Sequence, residues 1–455
     1  MDETGKLAEF CAALTFDDLP APVVEKAKHC LLDFFANVYG SLQLEEVRRV
    51  VEYYRAQGGP ATATVLGAGF STGVQQAAFV NGVGGEALEA QDGLRFGGNH
   101  PGVAVIPAVL AAAEETGATG QRVLTAIVVG YEVAGRVAAA VHPAHTLSGF
   151  LPTGTCGAFG AAAAVASLQQ ADTELMLQAL GNAGYLAPLS MAEHLMGGYT
   201  AKILQGGQAA SVGLTAAGLA RAGITGAPYV LEGSSLNGGF LQITTKNNAS
   251  PERITADLGK TFSIEDIYFK PYTACRHTHG SAQAALALRA ENDFAVAEIA
   301  AIDVFTYMIA AIAVGKSVAK DSSFVAAQFS IPYVAAACLL DGDMGPAQFR
   351  RERIADERVL ALAGKVAVHP DSALSEMYPA HTASRMEIKL TDGKILSRQI
   401  DTPKGDPRDP MTAADLTAKL ARFATGEQQA NMPSIAEATL ALERTDDIRT
   451  LTTLI

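Results

Sequence analysis

Over the first part of the chain, apolar residues recur at helical spacing. "LPAPVVEKAKHCLLDFFANVYGS" has Pro20 and Pro22 as start signals and Gly40 as a stop, which predicts a helix over 21–40 after a shorter one over 5–18. "STGVQQAAFVNGVGGEALEA", "GVAVIPAVLAAAEETG" and "GQRVLTAIVVGYEVAGRVAAAV" continue the pattern, the last with Glu132 and Arg136 one turn apart. "GAFGAAAAVASLQQ", "TELMLQALGNAGYL" and "GQAASVGLTAAGLARAG" follow in the same style. Alanine and glycine crowd these segments, so the helix axes can approach closely. The pattern describes an all-helical body.

The period changes after about residue 262. "IAAIDVFTY" (299–307) is β-branched and alternating, and "KVAVHP" is a second candidate strand. "SRMEIKLTDGKILSRQI" (384–400) reads as two strands joined at Asp392-Gly393, a strong hairpin signal. A helix is predicted between them over "SFVAAQFSIPYVAAACLLDG". From "DPMTAADLTAKLARFA" onward the helical period returns. The predicted class is mainly α: a large all-helical body from both chain ends (1–262 and 405–455), with an inserted α+β lid over 263–404.

Composition narrows the partners. Of the 455 residues, 49% are hydrophobic and 18% charged, enough apolar material for a sizeable core. The net charge of −13 argues against nucleic acid, whose phosphates need a basic face. An anionic substrate then needs a local basic pocket. The five cysteines are scattered without a CxxC, which reads as reduced thiols in a cytoplasmic protein. Residues 147–168 carry no charge but are rich in Gly, Ala and Ser/Thr, so a buried helix is expected there, not a membrane span.

Four stretches carry candidate chemistry. "FKPYTACRHTHG" (269–280) gathers Lys270, Cys275, Arg276, His277 and His279 in an acidic chain. Cys275, His277 and His279 alternate as metal ligands could, but no further Cys/His pair stands at ligand spacing. A basic helix start capped by Thr278 or Ser281 is the plainer alternative, although a helix N-terminus disfavours cations. Cations beside helix-start N–H groups suit a carboxylate or phosphate, and an anion site is the preferred reading. "EALEAQDGLRFGGNHPG" (86–102) places Glu86, Glu89, Asp92, Arg95 and His100 in a glycine-broken loop, a general acid/base set or a solvated surface loop. "GGYTAKILQGGQAA" (197–210) isolates Lys202, which could snorkel to water or bind an anion in a cleft. "SGFLPTGTCGAFGAA" (148–162) places Thr153, Thr155 and Cys156 at the opening of a helix, and Cys156 reads as packing.

Taken in this order, these stretches resemble the MmgE/PrpD family, which includes 2-methylcitrate dehydratase, cis-aconitate decarboxylase and iminodisuccinate epimerase. The markers are "AFVNG" (78–82), "HPGVAVIPA" (100–108), "VGYEV" (129–133), "PTGTCGAFGAAAA" (152–164), "KILQGGQAA" (202–210), "FKPYTACRHTH" (269–279) and "AQFSIPYVAA" (327–336). The resemblance spans nearly the whole chain. It implies a helical domain made from both ends, an inserted α+β lid, a homodimer, and a cofactor-free site between the domains; no metal is expected either, because no further ligand pair accompanies Cys275, His277 and His279.

The chain departs from the family pattern at defined positions. Many relatives read His-x-Leu-Asp-x-Asp-Asp where this chain has Glu86-Ala87-Leu88-Glu89-Ala90-Gln91-Asp92. They often read Phe-His-Pro-Thr where it has Phe150-Leu151-Pro152-Thr153, and Lys-x-Leu-His where it has Lys202-Ile203-Leu204-Gln205. The binding cations are largely retained while imidazoles are lost. The expected activity is that of a lyase or isomerase removing a proton beside a carboxylate of a small di- or tricarboxylate. An epimerase of an iminodisuccinate-like substrate and a carboxylate binder without turnover are the alternatives. Lys202, Lys270 and Arg276 are expected to stabilise the developing charge. His100 or His277 is the expected base, with Asp92 or Glu89 as orienting group or partner acid. Glu89, Arg95, Thr153, Cys275 and Arg276 are the expected substrate contacts.

Overall fold

Small side chains decide how the helices meet. The computed structural model describes residues 2–455, and in it Val74–Ala87 and Leu204–Arg221 run nearly in backbone contact. A β-carbon on Gly82 would stand 2.6 Å from Gly207 Cα, so neither position admits a side chain without parting the helices. Gly102–Thr116, Gly120–Val141, Pro152–Leu168 and Leu204–Arg221 pack on one another in the same close manner. The charge-free stretch is the buried helix Pro152–Leu168, as expected. Among the described residues, only Gly120–Val141 is long and apolar enough to cross a membrane, and it lies almost wholly inside the protein core. Its polar pair Glu132–Arg136 is buried too and satisfied, Nε to Oε1 at 2.5 Å.

The mainly α class holds. The late helices Ala413–Phe423 and Met432–Leu440 pack on Ala21–Ser41, near the other end of the chain. A buried ion pair joins them: Lys419 Nζ lies 2.6 Å from Asp33 Oδ1 and donates to Ala90 O at 2.6 Å. The late helices thereby brace the loop that follows Val74–Ala87.

The β residues form one four-stranded sheet and two small ladders. The sheet order is Val366–Pro370, Ile299–Thr306, Ser384–Leu390, Ile395–Ile400, with the first pair parallel and the others antiparallel. The hairpin turns at Asp392-Gly393, where Gly393 takes φ +90°. His279–Glu291 packs on the hairpin strands and on Ile331–Asp341.

Three differences from the sequence reading have physical causes. The helix expected over 323–342 is two, Phe324–Gln328 and Ile331–Asp341, because Ser330 caps the second by accepting from Tyr333 N and Pro332 has no N–H to continue the first. The first helix stops at Ala13, and Thr15 and Asp18 bond each other around a separate tight turn. The third is a two-residue ladder, too short to show in a hydrophobic pattern: Gly93–Leu94 pairs antiparallel with Ile267–Tyr268. It joins the loop after Val74–Ala87 to the segment that leads into Lys270.

Candidate active site

That ladder brings together charges far apart in sequence. Glu89 follows the end of Val74–Ala87 and takes φ +52°, a left-handed conformation costly for a residue with a β-carbon. Two lysines hold it there. Lys202 Nζ lies 2.5 Å from Glu89 Oε2 and Lys270 Nζ 2.8 Å from Oε1. Lys270 also donates to the Glu89 backbone oxygen at 3.0 Å. Relative exposure is 3% for Glu89, 6% for Lys202 and 0% for Lys270, so none of these charges has water as its main partner. Burial alone would raise the Glu89 carboxyl; the lysines and His100 overcome it and hold the group well below the usual range. Burial pulls Lys202 down, and Glu89 with Glu86 more than offsets it, so the ammonium is held charged.

Lys202 sits on the tight turn Thr200–Ile203, immediately before Leu204–Arg221, and touches a second carboxylate, Glu86 Oε1, at 3.0 Å. Glu86 also accepts from Gln205 Nε2 at 2.5 Å and from Gly206 N at 2.9 Å, at the positive end of that helix. Glu86 and Gln205, two positions at which the sequence departs from the pattern it resembles, are in contact.

His100 completes the cluster. Its Nδ1 lies 2.6 Å from the Asp92 carbonyl oxygen, which can only accept, so Nδ1 carries the proton and Nε2 the lone pair. Nε2 is 3.9 Å from Glu89 Oε1. The His100 backbone N–H donates to Thr153 Oγ1 at 3.1 Å, which places Thr153 in the support of the ring. Burial, then Lys270, pushes the imidazole down to about 3, so it is neutral around pH 7. Asp92 orients His100 through its backbone. Its carboxylate turns away, accepting from Tyr131 OH at 2.5 Å and Gly102 N at 3.3 Å. Burial pushes that carboxyl up to about 7, against the Tyr131 hydrogen bond and with the help of Asp33.

Elsewhere in 269–280 the roles divide. His277 Nδ1 is hydrogen-bonded to Tyr307 OH, and Tyr307 stacks on Tyr378 with centroids 4.8 Å apart. Burial, then Lys270, pushes His277 down to about 4. Cys275 is buried and its thiol is pushed up to about 12, so it is no nucleophile. His279 is fully buried and its Nε2 meets Ala274 O at 3.0 Å. Among the described residues no three His, Cys, Asp or Glu side chains are grouped to hold a metal ion. Neither Thr278 nor Ser281 caps the helix here: Thr278 Oγ1 donates to Cys275 O at 2.8 Å.

Two expected substrate contacts are engaged elsewhere. Arg276 donates to Lys404 O and Pro403 O, both at 2.8 Å, and lies over the Tyr268 ring. Arg95 donates to Pro379 O at 3.2 Å and Ala380 O at 2.9 Å, and pairs with Asp406. A planar guanidinium fork suits adjacent carbonyls, and here it ties chain segments together. Sequence reasoning missed Tyr131 and Tyr307. Each lies among apolar residues and reads as core, and only the spatial partner reveals a polar role.

The comparisons with known proteins bear on this geometry. The MmgE/PrpD N-terminal domain matches residues 5–252 and the MmgE/PrpD C-terminal domain residues 272–442. The chain belongs to the MmgE/PrpD family. It is 29% identical over 480 aligned positions to a cis-aconitate decarboxylase-like protein of Aspergillus oryzae, covering 99% of this chain and 97% of the relative. It is 28% identical over 469 positions to the human cis-aconitate decarboxylase, covering 99% and 94%. A 2-methylcitrate dehydratase of Cupriavidus necator is 30% identical over 239 positions, 49% of this chain and 48% of the relative. Membership of the MmgE/PrpD family accounts for the order of the markers along the chain, and Lys202, Lys270 and His100 lie in those marker stretches.

Proposed function

We propose that the protein is a cofactor-independent lyase or isomerase that removes a proton beside a carboxylate of a small di- or tricarboxylate. One observation carries the reading: Lys202 and Lys270 converge on one buried carboxylate, with the neutral Nε2 of His100 3.9 Å from it. Such a C–H proton is very weakly acidic, and removing it drives negative charge onto the carboxylate oxygens. Each ammonium has three N–H groups. Lys202 uses two on Glu86 and Glu89, and Lys270 two on the carboxylate and backbone oxygen of Glu89. One from each remains for a substrate carboxylate. Donors fixed in a dry site stabilise such charge strongly, and losing one typically costs ~10²–10³ in rate. His100 takes the proton at Nε2 while Nδ1–H stays on the Asp92 carbonyl. Relatives named for cis-aconitate and 2-methylcitrate support a polycarboxylate substrate.

Solvent deuterium exchange followed by NMR tests this. Purified protein is incubated in D₂O with citrate, tricarballylate, cis-aconitate and 2-methylcitrate in turn. Label should enter a position beside a carboxylate in at least one of them, and His100→Asn should abolish it. Absence of label from all four would reject catalysis by proton removal.

A further inference from the structure

The amide of Gln205 is held by one end only. Its Nε2 donates to Glu86 Oε1 at 2.5 Å, while its Oε1 is buried without any hydrogen-bond partner. Glu86 fixes which end is which. Burial raises the Glu86 carboxyl, but it lies among three donors, Lys202 Nζ at 3.0 Å, Gln205 Nε2 and Gly206 N, and an oxygen facing donors on every side accepts from the amide. Turning the amide over would set oxygen against oxygen. The carbonyl therefore faces away from Glu86 and stays unsatisfied, although the residue is only 8% exposed. A buried acceptor in this state costs free energy until a donor reaches it.

Its surroundings are the site itself. Gln205 is three residues from Lys202, and its β-carbon lies 3.2 Å from where one would stand on Gly154. Gly154 follows Thr153, which accepts the His100 backbone N–H. On this side the chain has the apolar Leu151 and the neutral amide acceptor of Gln205. An amide carbonyl cannot deliver a proton, but it can select a partner that has one to donate.

Resting on the polycarboxylate reading above, we propose that Gln205 Oε1 accepts a hydrogen bond from a hydroxyl or N–H group of the substrate, so that the site prefers a hydroxy- or amino-substituted polycarboxylate over an unsubstituted one. Glu86 is the positioning residue for that contact, because it alone dictates the amide's orientation.

Citrate and tricarballylate carry the same three carboxylates and differ only in the hydroxyl. Their affinities for the intact protein are measured by calorimetry at mildly alkaline pH, where both are fully ionised. The wild type should bind citrate about tenfold or more tighter, because a site built to bond a hydroxyl disfavours the analogue lacking it. Gln205→Met removes the acceptor at similar volume and should bring the ratio to about one. Glu86→Gln frees the amide to turn and should also reduce the ratio. Thermal melts establish that each variant is folded, and if neither folds the wild-type ratio still decides. Equal wild-type affinities would overturn the Gln205 assignment alone, as would a citrate preference that survives Gln205→Met. Binding of neither compound would overturn the tricarboxylate form of that reading, and this inference with it.

Discussion

Lys202 Nζ lies within 3.0 Å of two carboxylates, Glu86 Oε1 and Glu89 Oε2, and all three side chains are closed off from solvent. Buried charges survive only with partners, so this ammonium is both a structural keystone and the group best placed to receive a substrate anion. The two roles can be separated by experiment.

Lys202→Met leaves both carboxylates facing each other without a counter-charge, apart from the Lys270 contact to Glu89. Breaking a buried ion pair from one side typically costs ~3–5 kcal/mol. Urea denaturation should show a loss of that order. Lys202→Met/Glu86→Gln, which removes one of the stranded charges, should recover part of it. A single variant as stable as wild type would mean that the carboxylates are protonated or hydrated, contrary to the ion-pair geometry.

The acid–base groups contribute to stability with opposite signs. For His100 the folded value is about 3 against an ordinary 6.5. Between these values the unfolded chain binds the proton and the folded chain does not, so stability is lost as pH falls from 6.5 toward 3. For Asp92 the folded value is about 7 against an ordinary 3.8, so the folded chain holds the extra proton and stability is lost as pH rises from 3.8 through 7. Each effect is at most on the order of a few kcal/mol. Melting temperatures across pH 4 to pH 8 should show His100→Asn with a shallower acid limb. Asp92→Asn should gain relative to wild type as pH rises. Parallel curves for all three proteins would show that neither group is shifted.

Most of the fold was legible because it rests on local rules. Pro20 and Pro22, Gly40 and the Asp392-Gly393 turn mark element ends through backbone geometry, and the helical period marks the buried faces. Lys202, Lys270, His100 and Asp92 stood out as isolated ionisable groups in apolar or glycine-rich stretches. What the sequence did not carry was direction. Arg95 and Arg276 look as available as the lysines, yet backbone carbonyls at 379–380 and 403–404 engage them. Glu89 as the shared partner of both lysines depends on a left-handed residue and a two-residue ladder, and neither has a periodic signature.

Arg95 and Arg276 give a prediction about access. Glu89, Lys202 and Lys270 are each 6% exposed or less, so a substrate reaches them only when packed segments part. Segment 402–410 is held by Arg276 at Pro403 O and Lys404 O, and by Arg95 at Asp406. Burial would raise the Asp406 carboxyl, but Arg408 and Arg95 hold it down at about 2, so the contact persists at any ordinary pH. Arg95→Ala should speed amide hydrogen exchange across 403–409, and citrate should slow exchange there and at 259–266 in the wild type. No change in either comparison would place the route to the site elsewhere.

Leu151 bears on which reaction the enzyme runs. It sits immediately before the helix Pro152–Leu168, its backbone N–H donates to Ser190 O at 2.7 Å, and the residue is 9% exposed. The next residues carry Thr153, which supports His100, and Gly154, which lies against Gln205. The position therefore borders the proposed proton-transfer centre, and an apolar side chain there neither takes up nor delivers a proton. A nearby imidazole does not replace it: His145 is fully buried, its Nε2 meets Thr155 Oγ1 at 2.8 Å, and its ring stacks on Phe150. Dehydration of 2-methylcitrate requires an acid for the departing hydroxyl, and a general acid typically contributes ~10²–10⁴-fold. The wild type should dehydrate 2-methylcitrate slowly, and Leu151→His should raise that rate without a matching rise in deuterium exchange beside the carboxylate, since His100 remains the base. The measurement is product formation followed by NMR, with exchange read in the same spectra. Rapid dehydration by the wild type would mean that another group supplies the proton, with the Tyr307 hydroxyl at His277 the first to substitute.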